Sequence, residues 1–251
     1  NPLYIVQPPK FTPKEEEYLA DYKKIVPHAG VKAMRSEVDV TMRWELLKKT
    51  IDKKLTKTPN HDYIVRKIAG LAMGYGEIGI LIDDDNLEEV MVNGMNLPVF
   101  VYHRRHGMCK TNLVFSSLDA INELIADICF VNDKETGVIL DIAGIDGNRI
   151  NVTNDPLPAR GPTITIRKQR RKIFSIVELI EKGTISTDLA AFMWLAVEGM
   201  KLTPANMIIA GSIGSGKTTM LNALCTFIPP NERVITIEDT FELNLENLEN
   251  K

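Results

Sequence analysis

The stretch that most limits what this chain can fold into is Asn206 to Thr219, NMIIAGSIGSGKTT. A short apolar run ends at Gly211, and Gly216, Lys217 and Thr218 follow after four intervening residues. That spacing is the pattern of a phosphate-binding loop. Gly211, Gly214 and Gly216 let the backbone take positive φ and approach a polyphosphate, so that amide hydrogens and the positive end of the next helix face its charge. Lys217 can then reach the β- and γ-phosphates, and the Thr218 hydroxyl can complete a Mg2+ shell made mostly of phosphate oxygens and water. The flanks agree with this reading. Met207 to Ala210 reads as a short buried strand, and Thr218 to Phe227 as a helix with Met220, Leu221, Leu224 and Phe227 at three- and four-residue spacing. A glycine-rich turn with a surface lysine is the bland alternative, and it leaves that strand-to-helix context as coincidence.

With 251 residues, 44% hydrophobic and 25% charged, the chain has the composition of one large or two ordinary globular domains. A net charge of -3 argues against a generally basic nucleic-acid binder, and no stable nucleic-acid partner is expected. No apolar run approaches the roughly 20 residues that cross a bilayer, and no signal peptide is visible, so any membrane role is expected to be peripheral. Cys109, Cys129 and Cys225 are too few and too scattered for a disulfide framework or a zinc site, and read as reduced cytosolic thiols.

Taken in order, Asn1 to Pro9 reads as a strand stopped by two prolines, entering from something earlier in a longer protein. Phe11 to Val26 starts a helix at Thr12-Pro13 with three glutamates, and Val31 to Leu55 carries the three-to-four-residue periodicity of one long amphipathic helix. Trp44 lies near that stripe as a packing residue. Asp62 to Met73 forms another helix, ending at Gly74 and Gly76. Asp83, Asp84 and Asp85 read as a solvated acidic turn rather than a cation site, since no calcium-loop pattern follows. Leu87 to Asn93, Pro98 to His103 and Cys109 to Phe115 form a small antiparallel meander. His103 and His106, without a third ligand nearby, read as turn residues. Ser116 caps a helix running to Val131, Val138 to Thr153 is a hairpin around Asp146-Gly147, and Thr163 to Arg167 is a strand burying its isoleucines and presenting its arginine. Helices follow from Ser175 to Gly183 and from Ser186 or Thr187 to Val197, and Arg233 to Ile237 is a second buried strand, delivering Glu238 and Asp239 at its C-terminal end.

Between Pro156 and Val177 the chain carries Arg160, Arg167, Lys168, Arg170, Arg171 and Lys172 and no acid. Such a run can be a solvated basic loop, a contact for acidic lipid or nucleic acid, or, for Arg149, Arg160 and Arg167 held on or beside strands, a set of forks aimed at a triphosphate.

Together, IIAGSIGSGKTTMLNAL, IPPNERVITIEDTFEL, DGNRINVTNDPLPARGPTITIRK and LEEVMVNGMNLPVFVYHRRHGMCKTNLVF resemble the secretion-superfamily ATPases that power type II and type IV secretion, type IV pili and the archaeal flagellum. YHRRHGMCKTN is most similar to the archaeal branch, and the lean is towards the archaellum motor ATPase. The resemblance implies an α/β protein: an N-terminal α+β domain with a small antiparallel sheet, then an incomplete RecA-like phosphate-loop domain. The expected divisions are an N-terminal strand and helices over 1–60, an N-terminal α/β domain over 61–180, and the RecA-like domain over 181–251. It implies a cytoplasmic homo-hexamer, peripheral to the membrane, working on a polytopic membrane platform protein, with ATP and Mg2+ as cofactors. Gly211, Ser212, Ile213, Gly214, Ser215, Gly216, Lys217, Thr218 and Thr219 would hold the nucleotide, with Thr218 on the metal. Glu238 would orient or activate the attacking water, and Arg149, Arg160 and Arg167 would approach the phosphates.

Spacing alone allows Glu238-Asp239 to be the magnesium-holding acidic pair, whereas the family pattern puts that motif further downstream. Ile213 stands where relatives commonly carry threonine, at a position that contributes through its backbone. Counterparts of the family's downstream acidic and histidine motifs are missing, so the chain is expected to be a piece of a longer protein or one joined from pieces, and to hydrolyse ATP poorly alone. A nucleotide-gated scaffold is the competing class, with protein or DNA export as another role for an ATPase.

Overall fold

The structure is a computed structural model that describes residues 2–37, 40, 42–154, 161–169, 174–212, 214–238, 243 and 245. The chain divides into two compact units, Asn1–Gln169 and Arg170–Lys251.

In the first unit a two-residue strand, β1 (Leu3–Tyr4), precedes five helices: α1 (Pro13–Ala20), α2 (Tyr22–Ile25), α3 (His28–Glu37), α4 (Arg43–Lys54) and α5 (His61–Ala72). A short α6 (Gly79–Asp83) leads into β2 (Leu87–Val92), β3 (Pro98–His103) and β4 (Gly107–Val114). Then come α7 (Leu118–Val131), β5 (Ile139–Ala143), β6 (Arg149–Thr153) and β7 (Thr163–Arg167). The strands form one seven-stranded mixed sheet, ordered β1-β4-β3-β2-β7-β6-β5, with β1 parallel to β4 and the other pairs antiparallel.

The expected small meander is therefore only half of a larger sheet. β7 hydrogen-bonds to β2 on one side and β6 on the other, fusing the meander to the 138–153 hairpin. Alternation makes this sheet two-faced. Val90, Val92, Val99, Val101, Ile150, Val152, Ile164 and Ile166 are buried in a core shared with the helices, while Tyr102, Met108 and Arg167 point the other way and stay exposed.

The first helices are shorter than their periodicity suggests. The stripe from Val31 to Leu55 is split into α3 and α4, with turns at Val40 and Met42. The Arg43 guanidinium spans the break, donating to the Arg35 carbonyl at 2.9 Å and the Ile145 carbonyl at 2.7 Å. Phe11–Val26 is likewise divided at Asp21 into α1 and α2, although its start is the expected one: Thr12 and Glu15 form a reciprocal capping box. The cap of α7 is Ser117, not Ser116; its hydroxyl accepts from the Ala120 amide at 3.2 Å. Strand formation near the N-terminus reaches only Leu3–Tyr4.

The acidic turn is solvated at Asp85, half-buried at Asp84 and enclosed at Asp83. Asp83 closes α6 with its side chain only 3% exposed; it accepts from Trp44 Nε1 at 2.5 Å and Lys48 Nζ at 3.1 Å and pairs with Arg66. Burial alone would raise the pKa of this carboxyl, but the Trp44 hydrogen bond and the Lys48 and Arg66 charges outweigh it and hold it below the ordinary value. Asp84 accepts from the Tyr4 hydroxyl at 2.5 Å and the Asn86 amide at 2.9 Å. Trp44 is buried in the core, so it is a packing residue with a polar tether.

Helices α5 and α6 meet backbone to backbone at Gly70 and Gly79. A Cβ built on Gly70 would lie 2.6 Å from the Gly79 Cα, and one on Gly79 would lie 2.5 Å from the Gly70 Cα. Either alanine substitution should therefore lower unfolding stability by about 1–3 kcal/mol through overpacking. Urea denaturation followed by buried Trp44 checks this; an unchanged midpoint would mean that the helices can part without cost.

The second unit contains α8 (Ile176–Glu181), α9 (Thr187–Glu198) and α10 (Lys217–Cys225) around a small cluster of Leu179, Ile185, Ala190 and Ala223. The two buried strands expected here do not form. Residues 207–210 and 233–237 have no strand assignment, and Ile208 and Ile237 are 95% and 97% exposed. An apolar run becomes a buried strand only when neighbours complete its hydrogen bonds and cover its faces, and the described residues of this unit supply neither. Cys109, Cys129 and Cys225 are all buried free thiols.

Candidate functional site

The run Met207 to Ala210 delivers the chain to the glycine loop, and α10 begins at its far end. Gly214 and Gly216 have φ of +76° and +89°, the left-handed region that a side chain makes costly. At Gly211 a Cβ would lie 2.5 Å from Ser215 Oγ, which would have to rotate aside. The Ser215 amide donates to the Ser212 carbonyl at 3.3 Å, which tightens the turn. Gly216 at the cap of α10 offers no side chain to the first amides of that helix, so its positive end opens onto the loop.

Lys217 folds back over this turn. Its ammonium donates to the Gly211 carbonyl at 2.9 Å and the Ser212 carbonyl at 2.7 Å. A fixed cation above glycine backbone, beside a helix N-terminus, is an arrangement suited to phosphate oxygens, which are stronger acceptors than carbonyls because the bond is then charge-assisted. The half-buried Thr218 and Thr219 occupy the first turn of α10. Gly211, Gly214, Ser215, Gly216, Lys217 and Thr219 line a cleft of about 480 Å3, within the size range of small-ligand pockets. Ile213, in the middle of the loop, lies outside the described residues.

Glu238 is not among the residues that line this cleft. The Glu238 carboxylate accepts from the Leu243 amide at 3.1 Å. It also acts on Cys225, whose thiol is pushed up first by burial and then by the Glu238 charge. Asp239 lies outside the described residues.

Arg149 and Arg167 belong to the first unit, directly opposite one another on β6 and β7. Arg149 is engaged in a fork with Asp141, Nε to Oδ1 at 3.2 Å and Nη2 to Oδ2 at 2.7 Å, and this hydrogen bonding holds the Asp141 carboxyl below its ordinary pKa. Arg167 is exposed at the end of β7. Arg160, Arg170, Arg171 and Lys172 lie outside the described residues. His103 and His106 sit at the β3–β4 turn with ring centroids 4.7 Å apart, and His103 Nδ1 accepts from the Arg105 amide at 3.1 Å, as turn residues do. Among the described residues no group of three or more His, Cys, Asp or Glu side chains is placed to hold a metal.

Sequence reasoning missed that Phe174, Leu179, Lys182 and Thr184 also line the cleft. One signal was available. Ser175 and Glu178 form a capping box that fixes the start of α8, and with it the position of Phe174 just before the cap.

Residues 136–250 match the family model described as type II/IV secretion system protein. An uncharacterized protein of Methanocaldococcus jannaschii is 48% identical over 176 residues, covering 68% of this chain and 24% of that protein. The type IV secretion system protein VirB11 of Bartonella henselae is 31% identical over 205 residues, covering 66% of this chain and 55% of that protein. The chain thus spans about a quarter of the first relative and about half of the second. Among solved structures, the VirB11 ATPase from the Brucella suis type IV secretion system in complex with sulphate aligns at a TM-score of 0.35 and 23% identity, over 67% of this chain and 56% of that one, too slight a likeness to bear on the fold. Among the described residues no helix is long and apolar enough to cross a membrane. The family match over residues 136–250, which include the glycine loop, together with the likeness to VirB11, identifies the chain as a member of the type II/IV secretion ATPase superfamily.

Proposed function

We propose that the chain binds MgATP on the loop from Gly211 to Thr219 and is part of a hexameric ATPase that drives assembly or rotation of an archaeal flagellum or type IV pilus-like filament. The observation that carries the nucleotide reading is the Lys217 ammonium, held 2.7–2.9 Å from the Ser212 and Gly211 carbonyls over a loop with two positive-φ glycines at the mouth of α10. In this reading Gly211, Ser212, Ile213, Gly214, Ser215 and Gly216 present backbone to the phosphates. Lys217 bridges the β- and γ-phosphates, and the Thr218 hydroxyl ligates the metal. Mg2+ supplies neutralisation of the charge that develops on the transferring phosphoryl group. Arg149, Arg160 and Arg167 add charge from the N-terminal unit, which for Arg149 means exchanging Asp141 for a phosphate. The second unit is read as a RecA-like domain, and the hexamer as a cytoplasmic assembly docked on a polytopic membrane platform protein. Similarity to a Methanocaldococcus protein and the YHRRHGMCKTN segment support the archaeal reading.

Water activation is assigned to Glu238. Glu238→Gln should keep ATP affinity within about twofold and cut turnover by roughly a hundredfold or more, as removal of a general base does. Equilibrium binding and steady-state phosphate release, measured on the protein in its natural assembly, check both halves; unchanged turnover would strip Glu238 of the role. A second reading, export of protein or DNA through a secretion channel, is favoured by the likeness to a protein named for type IV secretion. Loss of filaments without loss of export on deletion of the gene would support the first reading; the converse would support the second.

A further inference from the structure

One face of the sheet in the first unit is taken up by the core, and the other carries a pattern of its own. In β3 the buried Val99 and Val101 alternate with Phe100 and Tyr102; in β4 the buried Cys109 and Thr111 alternate with Met108 and Lys110. The register sets Phe100 between Lys110 and Met91, and Tyr102 between Met108 and Glu89, so two rows of side chains cross β4, β3 and β2 on the outward face. Met91, Phe100, Tyr102 and Met108 neither belong to the core cluster of this unit nor pack against it, and Tyr102 is 41% exposed. Among the described residues no hydrogen bond, ion pair or ring contact engages the side chains of Phe100, Tyr102 or Lys110.

The charge around these rings says what fits them. From Val90 to Leu118 the chain carries Arg104, Arg105 and Lys110 and no Asp or Glu, a local excess that the net charge of -3 over the whole chain conceals. Glu89, beside Tyr102, stands opposite Arg167 on β7, so its charge is countered on the sheet itself. Beyond Met91 the row runs into Thr165 and Asn151, polar side chains able to hydrogen-bond a sugar or a base edge. A lipid surface would want an apolar face that sinks below the headgroups, and a flat pleat mixing rings with polar groups offers none. Bases laid on the rings, with phosphates beside the cations, suit it better. Phe100 and Tyr102 are two residues apart on one strand, about 7 Å at ~3.4 Å per residue, so each ring can take one base.

We infer that the outward face of β2, β3 and β4 is a platform for single-stranded nucleic acid: successive bases stack on Phe100 and Tyr102 while Lys110 and Arg105 neutralise backbone phosphates. A duplex keeps its base faces inside the helix and has none to offer the rings. The inference is independent of the nucleotide reading, since the glycine loop belongs to the other unit.

The test is an equilibrium titration of the full chain with a fluorescent oligothymidylate, with the same strand annealed to its complement, and with vesicles containing phosphatidylglycerol. Wild type should bind the single strand about tenfold or more tighter than the duplex, with log affinity falling against log salt at a slope of about -1.4, two phosphates at roughly -0.7 each. Tyr102→Ala and Phe100→Leu should each weaken the single strand by roughly tenfold, Phe100→Tyr should retain binding, and Lys110→Ala should flatten the salt slope by about 0.7. An unchanged urea midpoint certifies that each variant is folded, and Tyr102→Ala, at an exposed position, keeps the test decisive if Phe100→Leu is not. No binding to the single strand at low salt, equal binding to strand and duplex, or unchanged affinity in both aromatic variants would overturn the platform. So would vesicle binding that the aromatic variants abolish, which would make this face a membrane surface.

Discussion

Lys217→Ala should abolish ATP turnover in the assembled enzyme, by about a hundredfold to a thousandfold, and should weaken MgATP binding by about tenfold or more. The first figure is what removing a fixed electrostatic partner of the transition state costs, and the second is one charged hydrogen-bonding group lost from a bound phosphate. The structure gives the reason for expecting so large an effect from one side chain. Lys217 is the charged side chain on the cleft's loop wall, and it is already aimed over the loop by bonds to Gly211 and Ser212. Lys217→Arg keeps the charge but replaces a compact ammonium with a planar fork, so it should recover binding only in part. Phosphate release and nucleotide titration on the same preparations check the prediction; turnover within threefold of wild type would remove Lys217 from the mechanism.

Asp83→Ala should be the most damaging change outside the site, destabilising the first unit by about 3 kcal/mol. The loss is not that of a surface ion pair. Asp83 is enclosed, and its removal leaves the Trp44 indole N–H without its acceptor and the Lys48 and Arg66 charges without their shared partner. The pH dependence has a definite sign. The folded-state pKa is depressed, so the unfolded chain takes up the proton first as pH falls, and the carboxylate's contribution is complete above its ordinary pKa of about 4 and lost below it. Wild type should therefore lose stability between about pH 5 and pH 3 more steeply than Asp83→Asn. Urea unfolding read by Trp44 fluorescence at several pH values checks this; parallel curves would mean that another carboxylate carries the acid sensitivity.

What could be read from residues alone follows from how local each signal is. The helix start at Thr12-Pro13, the Asp146-Gly147 turn and the strand at 163–167 are each decided by a few adjacent residues, and the structure has them where the pattern places them. The burial of Asp83 was illegible because its partners, Trp44, Lys48 and Arg66, arrive from two other helices. The joining of meander and hairpin into one sheet was hidden for the same reason: β7 pairs with β2 far back in sequence. Apolar periodicity misled at Val31 to Leu55, where one stripe is carried by two helices, and at Ile208 and Ile237, where composition suited burial but none of the described residues covers the chain. Within the candidate site the loop was legible and its aromatic wall was not, since Phe174 lies nearly forty positions before the loop and reaches it only through the fold.

The central claim is that backbone between Gly211 and α10 was shaped to hold the phosphates of a magnesium nucleotide. Calorimetric titration of the protein with a non-hydrolysable ATP analogue, with and without Mg2+, and repeated on Lys217→Ala, addresses it directly. One saturable site per chain is expected, dependent on Mg2+, open to competition by tripolyphosphate and lost or severely weakened in the variant. Absence of binding, or binding that ignores both the metal and Lys217, would contradict the account.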